Sequence, residues 1–334
     1  MKKLTTTLLI VGLLAGSVYG YGPVGHQLVG AIADKRLATN PTINAKVNAL
    51  LDGLTLERAA TLADEIKTDN PDGFRMPGNP TIEAQLRAFV AANTSPSHRD
   101  FHFTDVPVFG DEKYADGAVG REPFDIVHMI PFCIRVLKGE ESDTNDRAIT
   151  KTVAVILIAH YLGDIHQPLH VGAEYFNSQR KPFEPTETDP GFSDQGGNKL
   201  TLFLLINAKG VSAGNLHGYW DTKSVTTAIG NSSFAQLVQK LANSRPPGLR
   251  LKGGTETWAE QMADEIMPVA REAHTRLTFT QIKTKPGAKF IVSGRATEKK
   301  TSGLSYKSFA GVTVNNEIQK AGWRLALVLE DALK

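Results

Sequence analysis

Along most of the chain, apolar residues return every three or four positions, the period of a helix with one buried face. Gly25 to Leu37 is the first such run. Asn40-Pro41-Thr42 opens another, to about Leu51, with a capping side chain followed by proline at the first helical position. Leu56 to Lys67, Pro80 to Ala92 and Pro123 to Lys138 repeat the pattern. Asp143 to Leu162 is predicted to be the longest apolar helix and therefore central. Phe234 to Ala242 and Glu256 to Leu277 read as amphipathic, and Asn315 to Leu333 closes the chain with a strong apolar face. Strand signals are sparse. Lys199 to Ile206 is the best, and Leu277 to Val314, rich in Thr, Lys, Gly and Ser, is predicted to hold a hairpin and loops. Glu174 to Gly197 reads as a long polar loop, a length that is uncommon in compact domains without a functional reason. With no repeat and no linker, the expected fold is mainly α, a single helical domain with a small β-hairpin region.

The N-terminus changes the picture of where the chain acts. Met1-Lys2-Lys3 precedes an apolar run from Leu8 to Val18, which falls short of the ~20 residues a membrane span needs. The layout is that of a signal peptide over residues 1–20, cut after Gly20 to leave Tyr21 as the new N-terminus of a domain over 21–334. The expected location is secreted or periplasmic, with no membrane association and no obligate protein partner. Loss of Lys2 and Lys3 takes the 37 basic residues to 35, against 35 acidic ones. A protein that holds duplex nucleic acid by neutralising phosphates is clearly basic, so any nucleic-acid contact here is local. Cys133 is the one cysteine, which excludes an intrachain disulfide and cysteine-based zinc clusters.

The candidate chemistry lies in histidines and aspartates. His160 and Asp164 stand four apart in the central helix and so share a face, and His170 follows just past Pro168. Asn215-Leu216-His217 leads to Asp221, a second His and Asp at the same spacing. A single pair of this kind is common on helix surfaces. Two pairs, one in a strongly apolar helix, call for partners to the buried charge, and a metal supplies them. Imidazole and carboxylate suit Zn²⁺. Asp64 at a helix end, His102 and Asp105 around Phe103, and His26 near the expected N-terminus add further donors. A free α-amino group is itself a ligand when neutral.

Taken in order, these segments resemble the S1/P1 nuclease family of zinc-dependent single-strand nucleases over nearly the whole chain after residue 20. The resemblance rests on Gly25-His26, Ala63-Asp64, His102-Phe103, His160 with Asp164, Gln167-Pro168-Leu169-His170, Asp194-Gln195-Gly196-Gly197-Asn198, Asn215-Leu216-His217 with Trp220-Asp221, and Ala321-Gly322 with Arg324-Leu325-Ala326. It implies a phospholipase C/P1 nuclease-like fold and three zinc ions. One would be held by Asp64, His102, His160 and Asp164, a second by His170, His217 and Asp221, and a third by the backbone of Tyr21, by His26 and by a bridging Asp164. It implies in-line attack on phosphorus by a zinc-bridging hydroxide that Asp64 orients or deprotonates. The substrates implied are single-stranded DNA and RNA or 3′-nucleotides, and the products carry 5′ phosphates. Phe103 matches a base-stacking aromatic, Asp105 a carboxylate that reads the base edge, and Asn198 a polar residue near the phosphate. His98, His128, His166 and His274 are left as structural or surface residues.

Two departures bear on the site. Tyr21 stands where the family starts with Trp, and Lys67 where it has a phosphate-contacting Arg, so the charge is kept and the bidentate fork is lost. Two other readings stay open on the sequence: a zinc-dependent phospholipase C, and a non-catalytic periplasmic zinc-binding protein.

Overall fold

The computed structural model describes residues 21–67 and 71–334, and the expected signal peptide lies outside them. The chain opens with α1 (Gly22–Leu37), α2 (Pro41–Leu50) and α3 (Leu56–Glu65). Asn40 caps α2 by accepting from the Ile43 amide, and Thr55 caps α3 by accepting from that of Arg58, which satisfies donors each helix start leaves orphaned. α4 (Pro80–Ala92), the short strand β1 (Val106–Pro107) and α5 (Ile126–Lys138) follow, and Cys133 is buried within α5.

α6 (Lys151–Asp164) is the pivot of the fold. It is buried from Val153 to Asp164 on every side, walled by α1, α3, α5 and the C-terminal helix, as an apolar helix must be. It begins at Lys151, not at Asp143 as expected. The Asn145 side chain accepts from the Arg147 and Ile149 amides and donates to the Ile149 carbonyl. That local loop competes with helix until Thr150 caps the true start by accepting from the Val153 amide.

The segment expected as a long loop is pinned by short strands. β2 (Gly172–Ala173) lies parallel to β1, and β3 (Tyr175–Phe176) pairs antiparallel with β4 (Phe192–Ser193). Then come β5 (Leu200–Ile206), β6 (Lys209–Asn215), α7 (Leu216–Gly218), a π turn (Tyr219–Lys223), α8 (Ser224–Ile229), α9 (Phe234–Asn243), α10 (Trp258–Thr275), β7 (Leu277–Lys283), β8 (Ser293–Glu298) and α11 (Tyr306–Ala332). The expected hairpin is β7–β8, but β8 also runs parallel to β5, with Leu200 opposite Gly294, so one four-stranded sheet forms in the order β6-β5-β8-β7. β6 has only Val211 and Ala213 as apolar residues beyond glycine, too few to announce a strand. α11 starts at Tyr306 rather than Asn315, because Ser305 caps it and Tyr306, Phe309 and Ala310 are buried. At 27 residues it is longer than α6, which has 14. Among the described residues, no helix is long and apolar enough to cross a membrane.

Candidate metal centre

The C-terminal end of α6 carries His160 and Asp164, both fully buried. Asp164 turns its two oxygens to different neighbours. Oδ2 lies 2.9 Å from His102 Nδ1 and 3.0 Å from His160 Nε2. Oδ1 lies 3.3 Å from His26 Nε2 and 3.8 Å from His170 Nδ1. Asp64, from the end of α3, places Oδ1 3.4 Å from His160 Nε2 and 2.7 Å from Lys67 Nζ.

His26 reaches the cluster from α1. Its ring stacks on that of His160 with centroids 3.7 Å apart. Gly163 makes room: a Cβ there would lie 2.8 Å from His26 Nδ1. Tyr21 caps the start of α1 with its side chain fully buried and its hydroxyl donating to the His166 carbonyl. The neighbouring Gly22 lies against the Asp221 carbonyl, which brings the first described residues to the edge of the same cluster.

A second group is built from short elements. His170 ends a 3-10 turn (Pro168–His170), His217 sits in α7 and Asp221 in the π turn. The Nε2 atoms of His170 and His217 are 3.1 Å apart, and Asp221 Oδ2 is 3.5 Å from His217 Nε2. π turns are rare, and they concentrate at functional sites.

The residues present fit a cation. His160, His170 and His217 each place Nδ1 on a backbone carbonyl, those of Ala60, His102 and Gly196, at 2.7, 2.9 and 2.8 Å. Nδ1 therefore holds the proton and Nε2 presents a lone pair, the arrangement that fixes metal-ligating imidazoles. Two such lone pairs oppose one another between His170 and His217. Both ring nitrogens of His26, Nε2 of His160, Oδ1 of Asp164 and Oδ2 of Asp64 are buried without a hydrogen bond. Orphaned buried polar atoms are costly, and a shared cation would satisfy these. The donor atoms fall into three groups, each within 4.8 Å: His26, Asp64 and His160; His102, His160 and Asp164; His170, His217 and Asp221. The last is the set expected from the sequence. Asp64, expected with His102, His160 and Asp164, shares a group here with His26 and His160.

Burial depresses the pKa of His26, His102 and His170, and takes His217 down to about 3. His160 goes the other way, because Asp164 and Asp64 outweigh burial. Burial and the carboxylates of Asp164 and Asp64 push Asp221 well above the usual range. For a histidine with a depressed folded pKa, the unfolded chain binds more protons as pH falls, so folding loses stability below the unfolded value of about 6.5. Four histidines pull this way, against His160 and Asp221 with their raised values. The Tm of the chelated protein is expected to fall as pH drops from 7 towards 4, and a thermal melt series reads it; a flat or rising Tm would contradict the assignment of neutral buried rings.

Beside the cluster, Phe103 and Asp105 line a cavity of about 760 Å³, together with Tyr175, Ser193 and Gln195. Phe103 is half-buried, at the end of the 3-10 turn that carries His102. Burial and the Asp194 charge push Asp105 up to about 7, and the Ser193 hydroxyl donates to its Oδ2 at 3.3 Å. Asn198 turns its amide back onto the Gln195 carbonyl, and its own carbonyl accepts from Asn215, the cap of α7. It thus braces the turn whose Gly196 carbonyl holds His217. Gly196 has φ of 54°, and a Cβ there would come within 2.0 Å of the Leu169 carbonyl, so only glycine fits.

The family description S1/P1 Nuclease matches residues 21–334, the same span that supplies every residue of this centre. The chain belongs to the S1/P1 nuclease family. It is a nuclease, and the family is zinc-dependent. Endonuclease 2 of Arabidopsis thaliana is 23% identical over 257 residues, covering 74% of this chain and 69% of that protein. Endonuclease 1 of the same plant is 33% identical over 86 residues, 26% of this chain and 21% of its own, and endonuclease 5 is 27% identical over 110 residues, 32% and 29%. The last two alignments span less than a third of those relatives.

In this S1/P1 family nuclease, the remaining histidines sit apart from the donor groups. His166 donates from Nδ1 to the Leu162 carbonyl and accepts at Nε2 from the buried Arg324. His274 pairs with Asp194 at 3.3 Å, His98 is buried, and His128 lies beside Asp125 with its side chain half-exposed. Sequence reading gave no role to Gln167, whose Nε2 donates to Asp221 Oδ1 at 2.8 Å, nor to Gly163. The second carried a signal. A glycine inside an apolar helix costs about 1 kcal/mol against alanine, so its presence between His160 and Asp164 points to a close approach.

Proposed function

We propose that this nuclease is exported, holds three zinc ions and cleaves single-stranded DNA and RNA to 5′-phosphorylated products, with 3′-nucleotides as further substrates. The observation that carries the reading is Asp164, whose two oxygens face separate histidines at the meeting point of the three donor groups. Asp64, His102, His160 and Asp164 would hold one ion; His170, His217 and Asp221 a second; the Tyr21 backbone, His26 and Asp164 a third. Bound there, zinc supplies Lewis acidity towards phosphate oxygens and lowers the pKa of water towards about 7.

The chain's own residues supply the rest. Asp64 would orient the attacking water and accept its proton. Lys67, ion-paired with Asp64, puts a cation beside the phosphate. Phe103 stacks an unpaired base, which a duplex cannot offer, and Asp105 meets that base's edge. Asn198 keeps the turn beside the phosphate in shape.

The experiment is hydrolysis of single-stranded and duplex DNA and of RNA by zinc-loaded and chelated protein, with phosphatidylcholine alongside. Single-strand cleavage that stops on chelation supports the reading. Headgroup release without nucleic-acid cleavage would move the protein to the phospholipase class. Two variants refine it. Phe103→Ala is expected to raise KM roughly tenfold with kcat little changed, since base–aromatic stacking is worth about 1–3 kcal/mol. Lys67→Ala is expected to lower kcat/KM about a hundredfold while Lys67→Arg keeps most of it, because one preorganised donor is worth that much; equal losses in both would mean that packing, not charge, is at stake.

A further inference from the structure

Beside the cavity that contains Phe103 and Asp105 lies a buried ion pair that the proposed chemistry does not use. His274, on α10, and Asp194, just past β4, are both buried. His274 donates from Nδ1 to the Ala270 carbonyl at 2.8 Å, one turn back in its own helix, and this leaves Nε2 facing Asp194 Oδ2 at 3.3 Å. Burial lowers the His274 pKa, but Asp194 and Glu174 outweigh it and raise the ring above its usual value. The ring therefore donates from both nitrogens. A charge-assisted hydrogen bond, away from water, ties α10 to the segment after β4.

That segment needs a tie. Gln195, Gly196 and Gly197 have φ of 55°, 54° and 80°, three positive values in a row, and Gln195 lacks the freedom of glycine. Backbone of this kind persists only where its surroundings over-determine it. Asp194 supplies much of that constraint. Its Oδ1 accepts from the Glu174 amide at 3.1 Å, and its own amide donates to the Glu174 carbonyl at 2.9 Å. Its carbonyl accepts from the Lys199 amide at 3.1 Å, which closes the turn. The remaining oxygen, Oδ2, is the one that meets His274.

Four consecutive residues here face three ways. The Ser193 hydroxyl donates to Asp105 Oδ2 in the cavity and accepts from the Gln195 amide at 2.9 Å. Asp194 faces His274. The Gly196 carbonyl accepts from His217 Nδ1 at 2.8 Å and so aims Nε2 of His217 at His170. Ser193 and Gly196 lie within two residues of Asp194 on a backbone with no slack, so a shift of Asp194 moves both.

We propose that His274 and Asp194 are positioning residues of the reaction: their pairing holds the Ser193–Gly196 turn so that His217 presents Nε2 to its donor group while Asp105 faces the base. The catalytic effect rests on the zinc nuclease reading; the geometry does not.

The test uses His274→Gln and Asp194→Asn, each close in shape to the residue replaced and without its charge. Asp194→Asn also keeps an acceptor for the Glu174 amide, so it holds the fold should His274→Gln lose it. In the chelated full chain, the Nδ1 protons of His160, His170 and His217 are read by NMR of protein carrying ¹⁵N-labelled histidine. Each is held by a carbonyl and gives its own downfield signal. The His217 signal is expected to move in the variants while those of His160 and His170 stay. An unmoved His217 signal would overturn the proposal, and so would equal movement of all three, which is what loosening of the whole fold produces. In the zinc-loaded chain, kcat on the base-free substrate bis(p-nitrophenyl) phosphate is expected to fall about tenfold, the lower end of what the outer partners of metal ligands are worth. On a dinucleotide the same fall is expected with KM raised about fivefold besides, the value of about one hydrogen bond to the base edge. Equal losses on the two substrates would overturn the link to Asp105. Should the parent protein cleave neither, the nuclease reading fails on its own, and the His217 signal of the chelated chain still decides the positioning.

Discussion

Replacing Asp164 by asparagine is expected to lower hydrolysis of single-stranded DNA by a factor on the order of 10³ or more, and to reduce bound zinc by at least one equivalent. The change keeps the shape of the side chain and removes its charge. His26, His102, His160 and His170 all have a ring nitrogen within 3.8 Å of this carboxylate. An amide offers one weak acceptor and a donor that points at lone pairs, so a cation on either side would lose its anionic ligand. Asp64 and Asp221 do not replace it: Asp64 already belongs with His26 and His160, and Asp221 with His170 and His217. Glu at this position keeps the charge but has to fit where Gly163 already leaves His26 no slack. Metal content by elemental analysis, read together with single-turnover cleavage, separates loss of an ion from loss of chemistry. Full zinc occupancy with near-normal turnover in Asp164→Asn would remove Asp164 from the centre altogether.

The same residues show how much of the site was open to sequence reading. His160 with Asp164 and His217 with Asp221 are legible because helical spacing puts each pair on one face before any tertiary contact is known. α6 is legible as central because it has no polar face. What brings Asp64, His26 and His102 to α6 is packing between segments far apart in the chain, and no local pattern encodes it; the resemblance to a family supplied that step. Nor could spacing reveal which carbonyls hold the imidazoles. Ala60, His102 and Gly196 contribute backbone atoms, which any residue could supply. The sheet was the weakest part of the reading. β6 pairs through its backbone while offering almost no apolar side chain, and the parallel contact between β5 and β8 joins strands some 90 residues apart. The start of α11 was hidden by a Ser- and Lys-rich approach, in which the buried positions are Tyr306 and Phe309.

Chelation of the metal is expected to lower the Tm by about 10–20 °C. A ligand present at 100 times its Kd stabilises a folded protein by about 2.7 kcal/mol per site. The three sites proposed would give about 8 kcal/mol, and for a domain of this size each kcal/mol moves Tm by about 2 °C. The structural grounds are specific to this chain. The donor groups fasten α1, α3, α6, the turn before β2 and the helix after β6, so the ions would close loops from His26 to Asp221. Without a cation, the buried lone pairs of His170 and His217 oppose one another at 3.1 Å, and atoms of His26, His160 and Asp164 stay buried without a hydrogen bond. Calorimetry of the zinc-loaded and chelated protein at neutral pH reads the difference, and re-addition of zinc should restore it. A Tm indifferent to chelator would mean that the cluster holds no metal in the folded protein, and that its buried charges are balanced by protons alone. The two outcomes also differ with pH. A metal-held centre loses its extra stability as the pH falls and protons displace the ion from its imidazoles, so the gap between loaded and chelated Tm closes on acidification; a proton-balanced centre has no gap to close.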